Sequence, residues 1–239
     1  AAGAIAGMVG VEVEGAVEDK PLIAASMFGN TTKAVDRARA TMDAKGYETL
    51  VFHATGTGGQ SMESLIEDGF FAGVLDITTT EWADEICGGA LSAGPTRLDA
   101  AAKRGVPQVV VPGCIDMVNF GPRSTMPERF QDRTLYEWNP TVTLMRTTPD
   151  ENARLGEIFA DKLNAATGSV AVLIPLQGFS ILDSPGERFW NPEADHAFIN
   201  ALKRALRPDI PLEELDCNIN DPAFADRATE LLLAMLNRQ

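Results

Sequence analysis

The residues best suited to chemistry form a glycine-rich segment, Gly56-Thr-Gly-Gly-Gln-Ser61. The residues before it, Leu50–Phe52, are apolar and β-prone, whereas Met62, Leu65 and Ile66 after it repeat at helical spacing. This pattern predicts a strand, a tight turn and a helix. A turn of this kind presents backbone N–H groups at a helix N-terminus, where an anion is favoured. The segment therefore predicts a phosphate or another anionic group bound at the turn.

The same segment has two other interpretations. It nearly fits the dinucleotide fingerprint Gly-x-Gly-x-x-Gly, with Ser61 in the place of the third glycine. Asp76 follows about twenty residues on, where the fingerprint has its ribose-binding acid. A tight turn that serves only the fold is the other interpretation. The sequence has no Gly-x-x-x-x-Gly-Lys-Ser/Thr motif, which argues against a P-loop NTPase.

Four side chains are candidates for catalysis: His53, Asp76, Cys114 and Asp116. His53 ends the strand before the glycine turn, and Cys114 follows a later strand, where a thiol can act as a nucleophile. Asp76, Glu81 and Asp116 are also candidate Mg²⁺ ligands beside a phosphate. Each has an ordinary structural alternative: a hydrogen-bonded core histidine, a small buried thiol, or acids that cap helices and turns.

A hydrolase would need Ser180 paired with His53 or His196. The segment Gly178-Phe-Ser-Ile-Leu182 does not fit the nucleophile elbow Gly-x-Ser-x-Gly, which argues against that chemistry. An anionic ligand needs a cation, for which the candidates are Arg123, Arg129, Arg133 and Arg146. We select Arg146, which directly follows a predicted strand, while surface salt bridges are the alternative role for all four.

Apolar runs and helical patterns alternate along the chain. Strands are predicted near residues 21–27, 50–52, 72–75, 108–111, 142–145, 169–174 and 212–215, and helices near 32–45, 97–104, 148–167, 194–206 and 223–236. This alternation predicts an α/β fold, a doubly wound (Rossmann-like) and mostly parallel sheet with helices on both faces. Residues from about 113 to 141 are rich in proline, arginine and aromatics and predict an irregular excursion.

In such a sheet the carboxyl ends of all strands meet at one edge, where open α/β sheets bind ligands. The turn residues of that edge supply hydroxyls and backbone donors, which suit phosphate or sugar groups. The candidate ligand-binding residues are Gly29, Asn30, Thr31, Thr55, Gly56, Thr57, Gly58, Gly59, Thr79, Thr80, Glu81, Gly113, Arg146, Gln177 and Gly178.

Composition excludes several classes of partner. The 239 residues carry a net charge of −14, which argues against nucleic acid or an anionic membrane surface as partner. Three cysteines, odd in number and widely spaced, predict no disulfide framework and favour a reducing cytoplasm. No apolar stretch is long enough to span a bilayer, and the first residues lack the basic region of a signal peptide.

Four segments carry a resemblance to a known family: Lys20-Pro-Leu-Ile-Ala-Ala-Ser-Met-Phe-Gly-Asn-Thr-Thr32, His53-Ala-Thr-Gly-Thr-Gly-Gly-Gln-Ser-Met62, Leu75-Asp-Ile-Thr-Thr-Thr-Glu81 and Pro112-Gly-Cys-Ile-Asp-Met-Val-Asn-Phe-Gly121. The sequence resembles the UPF0261 family of Tm-1-like ATP-binding proteins, named for a tomato inhibitor of tobamovirus RNA replication. Members have two α/β halves, and this chain is similar to the second. The resemblance implies a missing N-terminal domain, residues 1–19 as the linker from it, and residues 20–239 as one α/β domain. It also implies ATP or another nucleotide as ligand, with Mg²⁺ possible.

Three functions stay open at this point. The first is a domain that binds a nucleotide or another phosphorylated small molecule, with no reaction assigned. The second is a non-catalytic regulatory or interaction module, and the third is a small-molecule hydrolase or lyase. A domain separated from its partner domain exposes an apolar surface, so a homo-oligomer is also predicted.

Overall fold

A computed structural model describes residues 2–9 and 20–237. In these segments the strands are β1 (Leu22–Met27), β2 (Glu48–His53), β3 (Phe71–Thr78), β4 (Gln108–Gly113), β5 (Met117–Phe120), β6 (Leu135–Asn139), β7 (Val142–Arg146), β8 (Val170–Pro175) and β9 (Leu212–Leu215). The α-helices are α1 (Ala2–Val9), α2 (Thr32–Ala44), α3 (Thr57–Glu67), α4 (Glu81–Cys87), α5 (Asp99–Arg104), α6 (Pro149–Asn164), α7 (Pro192–Ala205) and α8 (Pro222–Leu236). None of these helices is both long and apolar enough to cross a membrane.

Six strands form one parallel sheet in the order β2-β1-β3-β4-β8-β9. On one face, Ile23 and Leu75 of the sheet pack in a core shared with α2 and α8. On the opposite face, Val110 and Val172 pack with Phe159 of α6 and other residues of the second core. Strands that are covered on both faces are mostly apolar, as β4 is after Gln108 and as β8 is throughout. The predicted doubly wound α/β fold is confirmed.

The strand order creates a topological switch point. From β1 the chain passes to β2 on one side and then returns to β3 on the other side of β1. The loops that follow β1 and β3 therefore leave the sheet in diverging directions, and in open α/β sheets ligands bind in the crevice between such loops. Residues 28–32, which follow β1, are called the switch-point loop below.

The region from 113 to 141 is more regular than its sequence indicates. It holds β5 and β6, which pair with β7 as a three-stranded antiparallel sheet in the order β5-β7-β6. Short 3₁₀ turns at Arg123–Thr125 and Glu128–Phe130 connect them. The prediction of irregular structure was wrong because β5 finds its partner about thirty residues later, beyond the reach of a local pattern.

Three further boundaries differ from the sequence-based prediction. Strand β3 continues to Thr78, so Asp76 lies within the strand and does not end it. Helix α4 follows it, in a stretch for which the sequence predicts no helix. Helix α1, exposed over residues 2–8, lies within the segment 1–19 that was predicted as a linker, and residues 1 and 10–19 of that segment lie outside the described residues.

Candidate functional site

The glycine turn between β2 and α3 already holds an anion, and that anion is a side chain of the protein. The Glu81 carboxylate accepts hydrogen bonds through one oxygen from the backbone N–H of Gly56 (2.7 Å) and of Gly59 (3.1 Å). A Cβ atom on Gly59 would overlap the same carboxylate. The N-terminus of α3 is therefore neutralised internally, as a helix terminus requires.

The glycines of this turn are explained by the backbone. Gly56 has a φ of +82°, a backbone conformation that residues other than glycine rarely adopt. Gly58 has an ordinary φ, but a Cβ on it would overlap the carbonyl oxygen of His53. The sequence predicts that Gly58 contacts a ligand or adopts a positive φ. In the structure Gly58 instead packs closely against the end of β2, and the residue with the positive φ is Gly56.

Behind Glu81, a buried arginine binds three acids. Arg97 is 1% exposed. Its guanidinium donates to both oxygens of Asp76 (2.6 Å each), to Glu81 (2.7 Å) and to Glu63 (3.2 Å). Burial raises the pKa of Glu63 and of Glu81, against the opposing effect of Arg97. This Arg97 cluster ties α3, β3 and α4 to the segment before α5.

The arrangement does not fit the Mg²⁺ site that the sequence predicts. Asp76 and Glu81 direct their oxygens at Arg97, and Asp116 belongs to a different cluster. Among the described residues no group of three His, Cys, Asp or Glu side chains is placed to hold a metal ion. A guanidinium here supplies the positive charge that a metal ion would supply.

Arg146, the selected ligand cation, is at the centre of a second buried cluster. It is 4% exposed and donates to Asp195 (2.6 Å), to Asp183 (3.2 Å) and to the carbonyl oxygen of Phe189 (2.7 Å). Burial raises the pKa of Asp183 and raises that of nearby Asp116 to about 6. The guanidinium is bound to the protein's own acceptors, so Arg146 is not the exposed cation that the sequence argument requires.

The other arginine candidates lie on and around the antiparallel sheet. Arg133 forms an ion pair with Glu151 (2.7 Å), Arg129 lies 4.7 Å from the ring centre of Phe130, and Arg123 donates to a backbone carbonyl. These contacts are the structural roles that were weighed against ligand binding.

The catalytic candidates do not form a nucleophile–base pair. Cys114 is fully buried, and burial raises the pKa of its thiol. Ser180 donates to Asp116 (2.8 Å), while His196 contacts the carbonyl oxygen of Pro192. His53 is exposed and hydrogen-bonds neither Ser180 nor Cys114 within the described part of the chain. This geometry gives the hydrolase alternative no support.

Several other candidate ligand residues serve the fold. Thr79 and Thr80 are buried and donate to backbone carbonyls of Val111 and Met117. A Cβ on Gly113 would overlap the carbonyl oxygen of Ile77, and one on Gly178 that of Asp183. The candidate ligand residues that are partly or fully exposed are Gly29, Thr55, Thr57, Gly58 and Gln177.

The switch-point loop has backbone N–H groups that are not hydrogen-bonded within the described part of the chain. No described residue accepts a hydrogen bond from the backbone N–H of Gly29 or Asn30. A Cβ on Gly29 would have no atom within 4 Å, so the loop faces open space there. Thr31 holds the loop in place, because its hydroxyl lies 2.7 Å from that of Thr78 at the end of β3.

This loop begins α2, and the start of α2 lacks a side-chain cap. Thr31 at the N-cap makes no capping hydrogen bond. By contrast, Thr148 caps α6 within a capping box, and Asn191 caps α7. An uncapped helix start leaves backbone donors for water or a ligand.

Two residues that are not among the sequence-predicted ligand residues adjoin the loop, and a third, Phe28, is its first residue. Asn220, which lies just before α8, donates through its amide nitrogen to the carbonyl oxygen of Asn30 (2.9 Å). Asn218 beside it donates to the carbonyl oxygen of Gln177 (2.9 Å). Phe28 stacks on His53 with ring centroids 5.4 Å apart. The only sequence signal for the two asparagines is their place in a polar turn after the last strand.

The family model for the UPF0261 C-terminal domain matches residues 20–236. The chain belongs to this family. A UPF0261 protein of Clostridium tetani is 50% identical over 239 residues, covering 100% of this chain and 59% of the relative. The ToMV resistance protein Tm-1(GCR237) of Solanum lycopersicum is 42% identical over 240 residues, covering 98% of this chain and 32% of the relative.

These UPF0261 relatives are longer than the chain, which spans 59% and 32% of their lengths. A preceding domain and self-association stay predictions. Among solved structures, the thioesterase domain from the curacin biosynthetic pathway matches with a TM-score of 0.41 and 10% identity, covering 90% of this chain and 91% of that one. A likeness this weak carries no functional argument.

In this UPF0261 domain, another buried acid fixes the loop after α4. Asp84 accepts hydrogen bonds from the backbone N–H of Leu91 (3.1 Å) and of Asn119 (3.0 Å), and from the Asn119 amide (2.8 Å). Burial nevertheless raises its pKa to about 7. The carboxyl group therefore takes up its charge only near neutral pH.

A raised pKa in the folded state makes stability fall as pH rises. Below the unfolded-state pKa, about 4, Asp84 is protonated in both states, whereas between about pH 4 and 7 only the unfolded chain loses the proton. We expect the stability advantage of the wild type over Asp84→Asn to shrink across this window, by at most about 1.4 kcal/mol per pH unit. Urea unfolding of both proteins from about pH 4 to 8 measures it. A constant difference would contradict the raised pKa.

Proposed function

We propose that this domain binds a phosphorylated small molecule of the nucleotide class at the switch-point loop. The observation that carries the proposal is the pair of backbone N–H groups at Gly29 and Asn30, which have no acceptor among the described residues and lie in the 3₁₀ turn Gly29–Thr31 that leads directly into α2. A helix N-terminus with free N–H groups favours a phosphoryl oxygen. The strand order places this loop at the switch point, where α/β sheets bind ligands.

The proposal moves the anion from the glycine turn to the loop after β1. At the glycine turn, Glu81 already accepts from Gly56 and Gly59, and a ligand there would have to displace a carboxylate that Arg97 holds. Such a displacement would leave buried charges unpaired, which is costly. At the switch-point loop no such displacement is needed.

The stacked rings of Phe28 and His53 support a nucleotide over a bare phosphate. They lie at the ends of β1 and β2, next to the loop, with an interplanar angle of 27°. The exposed His53 ring and the half-buried Phe28 ring offer a flat surface on which a base can stack, an interaction worth about 1–3 kcal/mol. The resemblance to Tm-1-like ATP-binding proteins points to the same ligand class.

Gly29→Pro tests the proposal because it removes one donor and little else. Phe28 has φ −136° and ψ 163°, which a following proline accepts, and a side chain at position 29 enters open space. We expect Gly29→Pro to weaken AMP binding by about tenfold to a hundredfold, the loss of a hydrogen bond to a charged group. Isothermal titration calorimetry measures it.

Gly29→Ala is the matched control, since it adds a side chain at the same position and keeps the N–H group. It should bind AMP as the wild type does, and both variants should unfold at the wild-type temperature. Equal affinity of the proline and alanine variants for AMP would contradict the assignment of the phosphoryl group to this loop. Absence of AMP, ADP and ATP binding by the wild type would contradict the proposed function.

A regulatory interaction module is the second candidate, and one observation favours it. The tomato relatives are named for resistance or susceptibility to ToMV, and no reaction appears in those names. The Gly29 variants separate the two functions, because an interaction module would keep its partner when the N–H group at position 29 is removed.

A further inference from the structure

Two buried amide oxygens beside the switch-point loop lack donors. Asn30 is 1% exposed, and its Oδ1 has no hydrogen-bond partner among residues 2–9 and 20–237. The same holds for Oδ1 of Asn220. The two residues are 190 positions apart in the chain, yet the Asn220 amide nitrogen contacts the backbone of Asn30. Asn30 is part of the switch-point loop and Asn220 contacts it, so both unpaired acceptors belong to residues that form or adjoin this loop.

The orientation of the Asn220 amide is fixed by its neighbours. Its nitrogen donates to the carbonyl oxygen of Asn30 (2.9 Å), a bond that would be lost if nitrogen and oxygen exchanged places. Asn218 holds this turn, because its amide nitrogen donates to the carbonyl oxygens of Gln177 (2.9 Å) and Ser180 (3.1 Å). The nitrogen of Asn30 faces the sulfur of Met117 at 3.7 Å. The oxygens that remain are acceptors only.

A ligand that completes this site needs both kinds of group. The N–H groups of Gly29 and Asn30 require an acceptor, which a phosphoryl oxygen supplies. The oxygens of Asn30 and Asn220 require donors, which a fully ionised phosphate lacks and a hydroxyl supplies. Buried polar groups in proteins are almost always paired, so unpaired ones that adjoin an open loop point to a bound molecule.

We infer that Asn30 and Asn220 select ligands that carry hydroxyl groups close to the phosphoryl group, as the ribose of a nucleotide or a free sugar phosphate does. This inference rests on the proposed function, because it places the hydroxyls beside the phosphoryl group at the same loop. A site that hydrogen-bonds a hydroxyl rejects an analogue that lacks it, since its own polar groups are then left unpaired.

The test is a calorimetric titration of the wild type with four ligands: inorganic phosphate, ribose 5-phosphate, AMP and 2′,3′-dideoxy-AMP. We expect AMP to bind at least about tenfold more tightly than its dideoxy analogue. Ribose 5-phosphate should bind more tightly than inorganic phosphate. A preference for AMP over ribose 5-phosphate would identify the source as a nucleotide, whereas equal binding of these two would identify a free sugar phosphate.

Asn30→Ala and Asn220→Ala assign the effect to the two amides. Each variant should lose most of the discrimination between AMP and dideoxy-AMP, which is measured as the ratio of the two affinities for the same variant. Equal affinity of the wild type for AMP and dideoxy-AMP would overturn the inference, even if both alanine variants failed to fold. The proposed function would survive that result, because AMP binding would still depend on the N–H group of Gly29. If none of the four ligands bound to the wild type, both this inference and the proposed function would be contradicted.

Discussion

Replacing Arg97 with methionine is expected to lower the free energy of unfolding by about 3–5 kcal/mol, as the loss of one partner from a buried ion pair does. Arg97 is the cation that Asp76, Glu81 and Glu63 share, and it is almost completely buried. Methionine fills similar space but leaves three buried carboxyl groups without their partner. Urea unfolding at neutral pH measures the loss.

The loss should depend on pH in a defined direction. Because burial raises the pKa of Glu63 and of Glu81, protonation removes their charge as the pH falls, and the difference between wild type and Arg97→Met should become smaller toward acidic pH. Lys103→Met is the matched control, since Lys103 pairs with Asp99 on the exposed surface. Loss of that pair should change the free energy of unfolding little, because water and salt screen ion pairs on the surface. An Arg97→Met loss no larger than that of the control would contradict a structural role for the cluster.

Gly58→Ala is the second substitution for which we expect a large effect, a destabilisation of about 3 kcal/mol. The added Cβ would overlap the carbonyl oxygen of His53, which belongs to the backbone and cannot turn aside. The end of β2 and the start of α3 must then move apart. Thermal unfolding measures the change, with Gly29→Ala as the control because its Cβ enters open space.

The two glycine variants also separate two explanations of the glycine turn. If its glycines serve the fold, Gly58→Ala lowers stability, and whatever protein remains folded still binds AMP. A Gly58→Ala protein that kept wild-type stability but lost AMP binding would show that the glycine turn holds the ligand. That result would contradict the assignment of Glu81 as its internal anion.

Local patterns were sufficient for most of the parallel sheet. The strand before the glycine turn, the capped start of α6 at Thr148 and the buried run of β8 each follow from residues close in sequence. Apolar runs, proline at the first helical turn and glycine punctuation specify such elements directly. The confirmed α/β fold rests on their alternation.

What the sequence missed depends on contacts between distant residues. Glu81 binds a turn 25 residues before it, and Arg97 reaches Asp76 across 21 residues. No spacing rule indicates that a carboxylate of the protein fills a turn that resembles a phosphate loop. Arg146 was selected as a ligand cation because it follows a predicted strand. Its burial and its ion pairs with Asp183 and Asp195 form only in the folded chain, so the sequence does not reveal them.

The candidate site was predicted in part for the same reason. Gly29, Asn30 and Thr31 were expected on the binding edge because they follow a predicted strand. Asn220 was not singled out, since the fold brings it to Asn30 from 190 residues away. The unpaired oxygens of these two asparagines are visible only when every neighbour is in place.

The most direct test of the central claim is an AMP titration followed in the backbone amide spectrum of the ¹⁵N-labelled protein. We predict the largest changes at the amides of Gly29 and Asn30, with the amides of Gly56 and Gly59 unmoved because Glu81 remains bound to them. Changes centred on Gly56 and Gly59, with Gly29 and Asn30 unaffected, would contradict the placement of the ligand at the switch-point loop.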